Sequence, residues 1–390
     1  MAEADPADLV LRFLTSIGRP AEAQQYLDLF RAEHPERFAI IHVADAVVRY
    51  AADALAVELR YLVELGLRPV IGFGAIEPGG AARAAERLAA ALAPAVATRI
   101  LGEPDPAQVR AAIAAGALPL CVIDRDDGDA DRRFDAVADL AAALGTRRVV
   151  FVTRRSGLVP ANGRAISLID LSTEVAGYLA PGALPSEQQK LLRQIARVVA
   201  RADAATDGPG RATLSVSITS PLDLLRELFT VKGAGTLVRR GSAIARHLGW
   251  DGVDATRLRA LVEQSFGRPL LAGFETRPIL AAYVADDYRG AALVTPAPLA
   301  PYLSKFAVGT VSRGEGVGRD LWRAMEADFP RLFWRSRADN PITSWYRENS
   351  DGMVRIRIAD AAWWVLWRGL APLEIPSAIQ YCATAAPDFA

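Results

Sequence analysis

From Arg37 to Thr153 short apolar runs alternate with amphipathic stretches of helical period, and this alternation constrains the fold more than any other feature of the chain. RFAIIHVADAVV reads as a buried strand, ALAVELRYLVELG as an amphipathic helix that stops at Gly66, and RPVIGFGA as the next strand. LPLCVID, FDAVADLAAALG and RRVVFVT repeat the theme, and PADLVLRFLTSIG and AEAQQYLDLFRAEH add helices ahead of it. Uninterrupted apolar runs are what strands covered on both faces require. Helices between them supply the crossovers that parallel strands need, so the pattern predicts an α/β domain with a mainly parallel sheet.

The pattern changes after DAATDGPGR, a small, Gly/Pro-bearing stretch at residues 203–211. A boundary there divides the 390 residues into domains 1–208 and 209–390, as expected for a chain too long for one ordinary core. Beyond it AAYVADDYRGAALV reads as two strands around a polar turn, LSKFAVGTV and AWWVLWRGL as further strands, and GVGRDLWRAMEADF as a helix. The second domain is therefore expected to be mixed α/β.

Forty-five basic residues balance forty-five acidic ones, which gives no support to a nucleic-acid or membrane-surface role. No apolar run approaches the roughly 18 residues of a membrane span, and MAEADPADLV has neither the basic region nor the apolar core of a secretory signal. A cytoplasmic protein is the expectation. Cys121 and Cys382 stand far apart and imply neither a disulfide framework nor a thiolate metal site. DRDDGDADRR at residues 124–133 lacks calcium-loop spacing, and His42 has no acidic companions, so no metal is expected.

Two stretches of the second half carry chemistry. In SKFAVGTVSRGEGVGRDLWRAM a strand, a Gly-rich turn from Arg313 to Gly318 and an amphipathic helix follow one another. Glycines let backbone amides approach an anion and the helix N-terminus adds partial positive charge, so the turn suits a pyrophosphate; it equally suits a plain tight connection. In LFWRSRADNPITSWYRENSDG an extended RLFWRSR points Leu332, Trp334 and Ser336 one way and Phe333, Arg335 and Arg337 the other. Asn340-Pro341 then reads as a helix start. Two guanidiniums on one face form a carboxylate clamp or, on spacing alone, a solvated pair beside core aromatics such as Trp334 and Trp345.

LRELFTVKGAGTLVRRG, PYLSKFAV, RGEGVG, LFWRSRADNPITSWYRENSDG and WWVLWRGL together resemble the acetyltransferase domain of N-acetylglutamate synthases, a family related to the bifunctional synthase/kinases. In the two-domain type an amino-acid-kinase-like α/β/α sandwich precedes a GCN5-related N-acetyltransferase (GNAT) fold. IGRPAEAQQYLDLFRAEHPERFAII and RRVVFVTRRSGLVPANGRAISLIDL resemble the kinase-like half. The resemblance implies acetyl transfer from acetyl-CoA to the α-amine of L-glutamate, with acetyl-CoA as co-substrate and no metal. It places Lys232, Lys305, Arg335, Arg337 and Asn340 around the glutamate, and the backbone of Phe306, Ala307 and Val308 along the pantetheine arm. Arg313, Gly314, Gly316, Val317 and Gly318 would hold the pyrophosphate, and Tyr346 would protonate the departing thiolate. Ser304 departs from the family, in which an acidic residue often precedes the lysine. The other readings are a bifunctional synthase/kinase, the same fold with a different amine acceptor, and a non-catalytic arginine sensor.

Relative to active kinases of this resemblance, His42 replaces a lysine and Ala44-Asp45 replace glycines that would approach ATP phosphates. IGFGAIEPGG keeps only part of a second Gly-rich turn. The expectation is a domain without kinase activity, serving as scaffold, assembly surface or regulatory site for L-arginine, in a homo-oligomer expected to be a tetramer.

Overall fold

A computed structural model describes residues 20–32, 34–123, 129–161, 163–205, 214–230, 233–309, 316–340 and 342–389. The expected first helix, PADLVLRFLTSIG, and residues 124–128 of the acidic stretch lie outside these. The chain forms two compact units, Met1–Gly241 and Ser242–Ala390.

The first unit is built on eight strands: β1 (Ile40–Val43), β2 (Val70–Phe73), β3 (Thr98–Leu101), β4 (Leu118–Val122), β5 (Arg148–Val152), β6 (Leu168–Asp170), β7 (Ser215–Thr219) and β8 (Thr236–Arg239), in the order β3-β4-β2-β1-β5-β7-β8-β6. Every pairing is parallel except β7 with β8. Helices Asp45–Glu64 and Ala81–Leu92 cover one face, through Leu55, Leu59, Ala85 and Leu88. Helices Ala130–Leu144 and Ser186–Ala205 cover the other, through Phe134, Val137, Leu192 and Ile195. This is the expected sandwich around a mainly parallel sheet.

The boundary moves. β7 and β8 lie beyond residue 208 yet complete the first sheet, β7 lying beside Arg148–Val152 and β8 beside Leu168–Asp170, so the compact units divide at Gly241 and not at 208. Main-chain pairing to strands far back in sequence outweighs the local Gly/Pro signal.

His42 and Cys121 are core residues of this unit, 0% and 1% exposed. Burial lowers the His42 imidazole pKa to about 3, so the ring is neutral, and its Nε2 accepts a hydrogen bond from the Ala75 amide at 3.2 Å. Burial likewise pushes the Cys121 thiol up to about 12. Glu58, on the long helix, is 7% exposed and accepts from the Leu225 amide at 3.0 Å. Desolvation, reinforced by the nearby Asp223 carboxylate and opposed by the Leu225 hydrogen bond, lifts its pKa from 4.5 to about 7. A pKa above the unfolded value means that folding takes up a proton. The contribution of Glu58 to stability is then greatest below pH 4.5, falls as pH rises towards 7, and levels off beyond. Glu58→Gln keeps an acceptor for Leu225 and removes the titration, so between pH 5 and pH 8 the parent is expected to lose about 2 kcal/mol more stability than the variant. Urea melts of both proteins at the two pH values measure this; an equal loss in both would show that Glu58 does not titrate across folding.

The second unit carries β9 (Ile244–Leu248), β10 (Ala281–Ala285), β11 (Gly290–Thr295), β12 (Tyr302–Val308), β13 (Leu332–Arg337), β14 (Gly352–Ile358) and β15 (Ala361–Arg368), in the order β14-β15-β13-β12-β11-β10-β9. Neighbours are antiparallel except β12 and β13, which run parallel and share a single register pair, Tyr302 opposite Phe333. Helix Val317–Asp328 packs on one face through Leu321, Trp322 and Met325, with the short helix Thr343–Glu348 beside it. Helix Ala255–Phe266 packs Leu258, Leu261 and Val262 on the other. Among the described residues no helix is long and apolar enough to cross a membrane.

Candidate active site

The single pair between β12 and β13 is the key to the site. Beyond Tyr302 and Phe333 the two strands are not paired, so among the described residues the β12 edge from Leu303 to Val308 has no strand neighbour on that side. Unpaired strand amides and carbonyls at such a gap are ready to bind an extended polar ligand. Helix Val317–Asp328 starts against this edge. Gly316 precedes it at φ 81°, a left-handed conformation that glycine adopts without a Cβ penalty, and its carbonyl accepts from the Arg319 and Asp320 amides. A Cβ on Gly318 would lie 3.6 Å from Val308 and 3.7 Å from Phe306, which places the first turn directly over β12. Gly318, in the first turn after Gly316 and Val317, is thus brought beside Phe306 and Val308, while Arg313 and Gly314 lie outside the described residues.

The two faces of β12 carry different chemistry because successive side chains alternate. Phe306 joins an aromatic cluster with Trp345 (5.5 Å, stacked), Trp322 (5.9 Å) and Tyr346 (6.2 Å). Trp334 on β13 closes it, 5.4 Å from Trp322 and 5.6 Å from Tyr346. Tyr346 is 6% exposed, and burial raises its phenol above the ordinary value. Among the described residues no hydrogen bond reaches its hydroxyl. Trp334 and Trp345 are packing residues, as expected.

Lys305 is only 3% exposed; its ammonium pairs with the Asp388 carboxylate, donates to Ser304 Oγ at 3.3 Å, and sits 5.3 Å from the rings of Phe274 and Phe389. Burial lowers its pKa and Asp388 opposes that shift. Asp388 also pairs with Arg277. Arg335 donates to the carbonyls of Cys382 (2.6 Å) and Ala385 (3.2 Å). The Arg335 and Arg337 guanidiniums lie 5.1 and 5.7 Å from the Trp363 ring, so the expected common face is real and an aromatic floor holds it. Arg337 reaches Asp339 at 3.7 Å and is half exposed.

Asn340 does not cap the helix. The helix begins at Thr343 behind Ile342 and has no side-chain cap, while Asn340 Oδ1 accepts from the Ile342 amide at 3.2 Å and Nδ2 donates to Ser336 Oγ at 3.0 Å. Its side chain therefore ties β13 to the following turn. Pro341 and Lys232 lie outside the described residues. Arg277 and Asp388 escaped sequence reasoning altogether.

In the first unit, the corner expected to have lost ATP is occupied by carboxylates. Helix Asp45–Glu64 starts behind Ala44, and its Ala46 amide donates to Glu77 Oε2 at 3.1 Å. Asp45 pairs with Arg49 and lies 3.1 Å from where a Cβ on Gly80 would stand.

The family described as NAT, N-acetyltransferase, of N-acetylglutamate synthase matches residues 245–384. The acetylglutamate kinase of Xanthomonas campestris pv. campestris is 32% identical over 94% of this chain and 98% of its own length. The mitochondrial N-acetylglutamate synthase of Homo sapiens is 28% identical, over 96% of this chain and 78% of its own. The fold matches N-acetylglutamate synthase of Neisseria gonorrhoeae solved with coenzyme A and N-acetyl-glutamate (TM-score 0.53) and with coenzyme A and L-arginine (0.51). Each match covers 90% of this chain and 98% of that one, at 16% identity.

Proposed function

This chain belongs to the two-domain N-acetylglutamate synthase family related to the bifunctional synthase/kinases, and on that premise we propose that it transfers the acetyl group of acetyl-CoA to the α-amine of L-glutamate. It is an amino-acid N-acetyltransferase. The observation that carries the choice of substrates is the pairing of two features on the strands β12 and β13: an unpaired strand edge under a glycine-led helix N-terminus, and a cluster of cations with an aromatic floor. The first suits the amides and pyrophosphate of acetyl-CoA; the second suits a dicarboxylic acceptor.

In this reading Gly316, Val317 and Gly318, with Arg313 and Gly314, hold the pyrophosphate, and Phe306 to Val308 hold the pantetheine arm. Lys305, Arg335 and Arg337 hold the carboxylates, while Asn340 fixes the turn beside them. The neutral α-amine attacks the thioester carbonyl, a β12 amide stabilises the tetrahedral oxyanion, and the carbon–sulfur bond breaks as Tyr346 donates its proton to the thiolate; the proton lost by the attacking nitrogen passes to water, and water restores the one on Tyr346. Cys121 and Cys382 are both buried, which supports direct transfer over an acyl-enzyme.

The first domain is a scaffold and an arginine-responsive element without kinase activity. Glu77 already uses the helix-terminal amide that a phosphate would take, Asp45 adds a second negative charge, and the neutral His42 replaces a cation. The name of the Xanthomonas relative favours a second reading, a bifunctional enzyme. One assay separates them. With acetyl-CoA and a panel of amino acids, thiol release is expected with L-glutamate alone; with ATP and N-acetylglutamate no phosphoryl transfer is expected. No turnover of glutamate would sink the synthase reading, and phosphorylation would establish the bifunctional one.

A further inference from the structure

Lys305, Arg277 and Arg335 come from β12, from the stretch before β10 and from β13, yet one short segment, residues 385–389 after helix Ile375–Thr384, engages all three. Asp388 places its carboxylate on Lys305 and Arg277 together. Arg277 also donates to the Pro387 carbonyl at 3.3 Å, and Arg335 to the Ala385 carbonyl at 3.2 Å. The segment is pinned further on. The Leu271 amide donates to the Asp388 carbonyl at 2.9 Å, Leu270 bridges Phe389, and the Phe389 ring lies 5.0 Å from Phe266.

We propose that Asp388 is an internal stand-in for the side-chain carboxylate of the acceptor, that residues 385–389 plug the acceptor site at rest, and that Arg277 is a further carboxylate-binding residue. The proposal rests on the dicarboxylic acceptor inferred above. A buried ammonium left without a counter-charge is costly, so Lys305 needs a carboxylate at every stage. Asp388 supplies it in the free enzyme and the substrate supplies it in the complex. Trading one carboxylate for another conserves charge, which makes the exchange cheap in both directions. An acceptor with a neutral side chain offers no replacement and leaves the plug seated, so the competition itself selects for a second carboxylate. The plug also carries a cost. Only molecules with the segment released can bind, and the apparent affinity falls by that fraction.

Hydrogen exchange on the full chain tests the displacement directly. Saturating L-glutamate is expected to raise exchange in residues 385–389 and at the Leu271 amide about tenfold, and L-glutamine to leave both unchanged. Asp388→Asn, which keeps the shape and removes the charge, is expected to exchange fast without ligand and to bind L-glutamate about tenfold more tightly by calorimetry. In that background Arg277→Gln is expected to weaken L-glutamate about tenfold, and an unchanged affinity removes Arg277 from the site. The plug is overturned where calorimetry shows glutamate bound to the parent while the segment stays protected, or where Asp388→Asn binds it no more tightly. Absence of glutamate binding in both proteins overturns the acceptor reading itself.

Discussion

Tyr346→Phe is expected to lower the rate of acetyl transfer about 100-fold while leaving acetyl-CoA binding and thermal stability close to those of the parent. The split follows from how the side chain is housed. Its ring packs against Phe306, Trp322, Trp334 and Trp345, and phenylalanine keeps all of those contacts. The hydroxyl makes no hydrogen bond to the described residues, so its loss leaves no protein group unsatisfied. Burial holds the phenol pKa above its ordinary value, which keeps the proton in place throughout the neutral range. Such a phenol is a weaker acid than a thiol of pKa about 8.5, so passing its proton to the developing thiolate is uphill alone and is driven by the proton that the attacking nitrogen releases, which returns to Tyr346 through water. Its contribution is therefore made in the transition state and not in the bound ground state. Steady-state kinetics check this: kcat and kcat/KM fall together while KM for acetyl-CoA stays within about twofold. An unchanged kcat would take Tyr346 out of the mechanism, and a large drop in melting temperature would make its role structural.

The parts of this fold that were legible in the sequence are those in which burial writes a local pattern. The apolar centres of RFAIIHVADAVV and RRVVFVT, Ile40–Val43 and Arg148–Val152, form adjacent parallel strands, whereas the ADAVV end of the first stretch is already helix, from Asp45 on, because its apolar residues fit a helical period as well as a strand. The common face of Arg335 and Arg337 follows from the two-residue period of a strand. What stayed hidden depends on residues far apart in the chain. β7 and β8 fall on the far side of the Gly/Pro stretch that reads as a linker, while their partners, Arg148–Val152 and Leu168–Asp170, precede it, so no local signal ties them to the first sheet. Asn340 was displaced by a competition between two hydrogen-bonding uses of one amide side chain, and the turn won over the helix end. Lys305 was singled out, but its counter-ion Asp388 stands 83 residues away and Arg277 lies in an irregular connection, so no spacing could join them. The splay between β12 and β13 is likewise silent in sequence, since both strands carry ordinary strand residues and only their pairing fails.

That splay places unusual demands on Trp322. It touches Phe306 on β12 and Trp334 on β13, at 5.9 and 5.4 Å, and so spans two strands that share only one register pair. Where a ladder would normally set the spacing, side-chain volume sets it instead. Trp322→Ala is expected to cost about 3–5 kcal/mol, the range for truncating a large core aromatic, because the indole is 2% exposed and its loss opens a void between the two strands. The strands can close into that void, and the edge offered to acetyl-CoA closes with them. KM for acetyl-CoA is therefore expected to rise at least tenfold in whatever protein remains folded. Trp322→Phe separates the wedge from mere bulk. It retains a ring between Phe306 and Trp334, and it deletes an indole N–H that is buried without an acceptor among the described residues, recovering about 1 kcal/mol of the lost packing. Its net cost is expected to stay below about 2 kcal/mol, with KM for acetyl-CoA little changed. Urea denaturation and acetyl-CoA titration of the two variants decide the matter. If alanine destabilises as expected but leaves KM for acetyl-CoA where it was, the spacing of β12 and β13 is held by something other than this side chain.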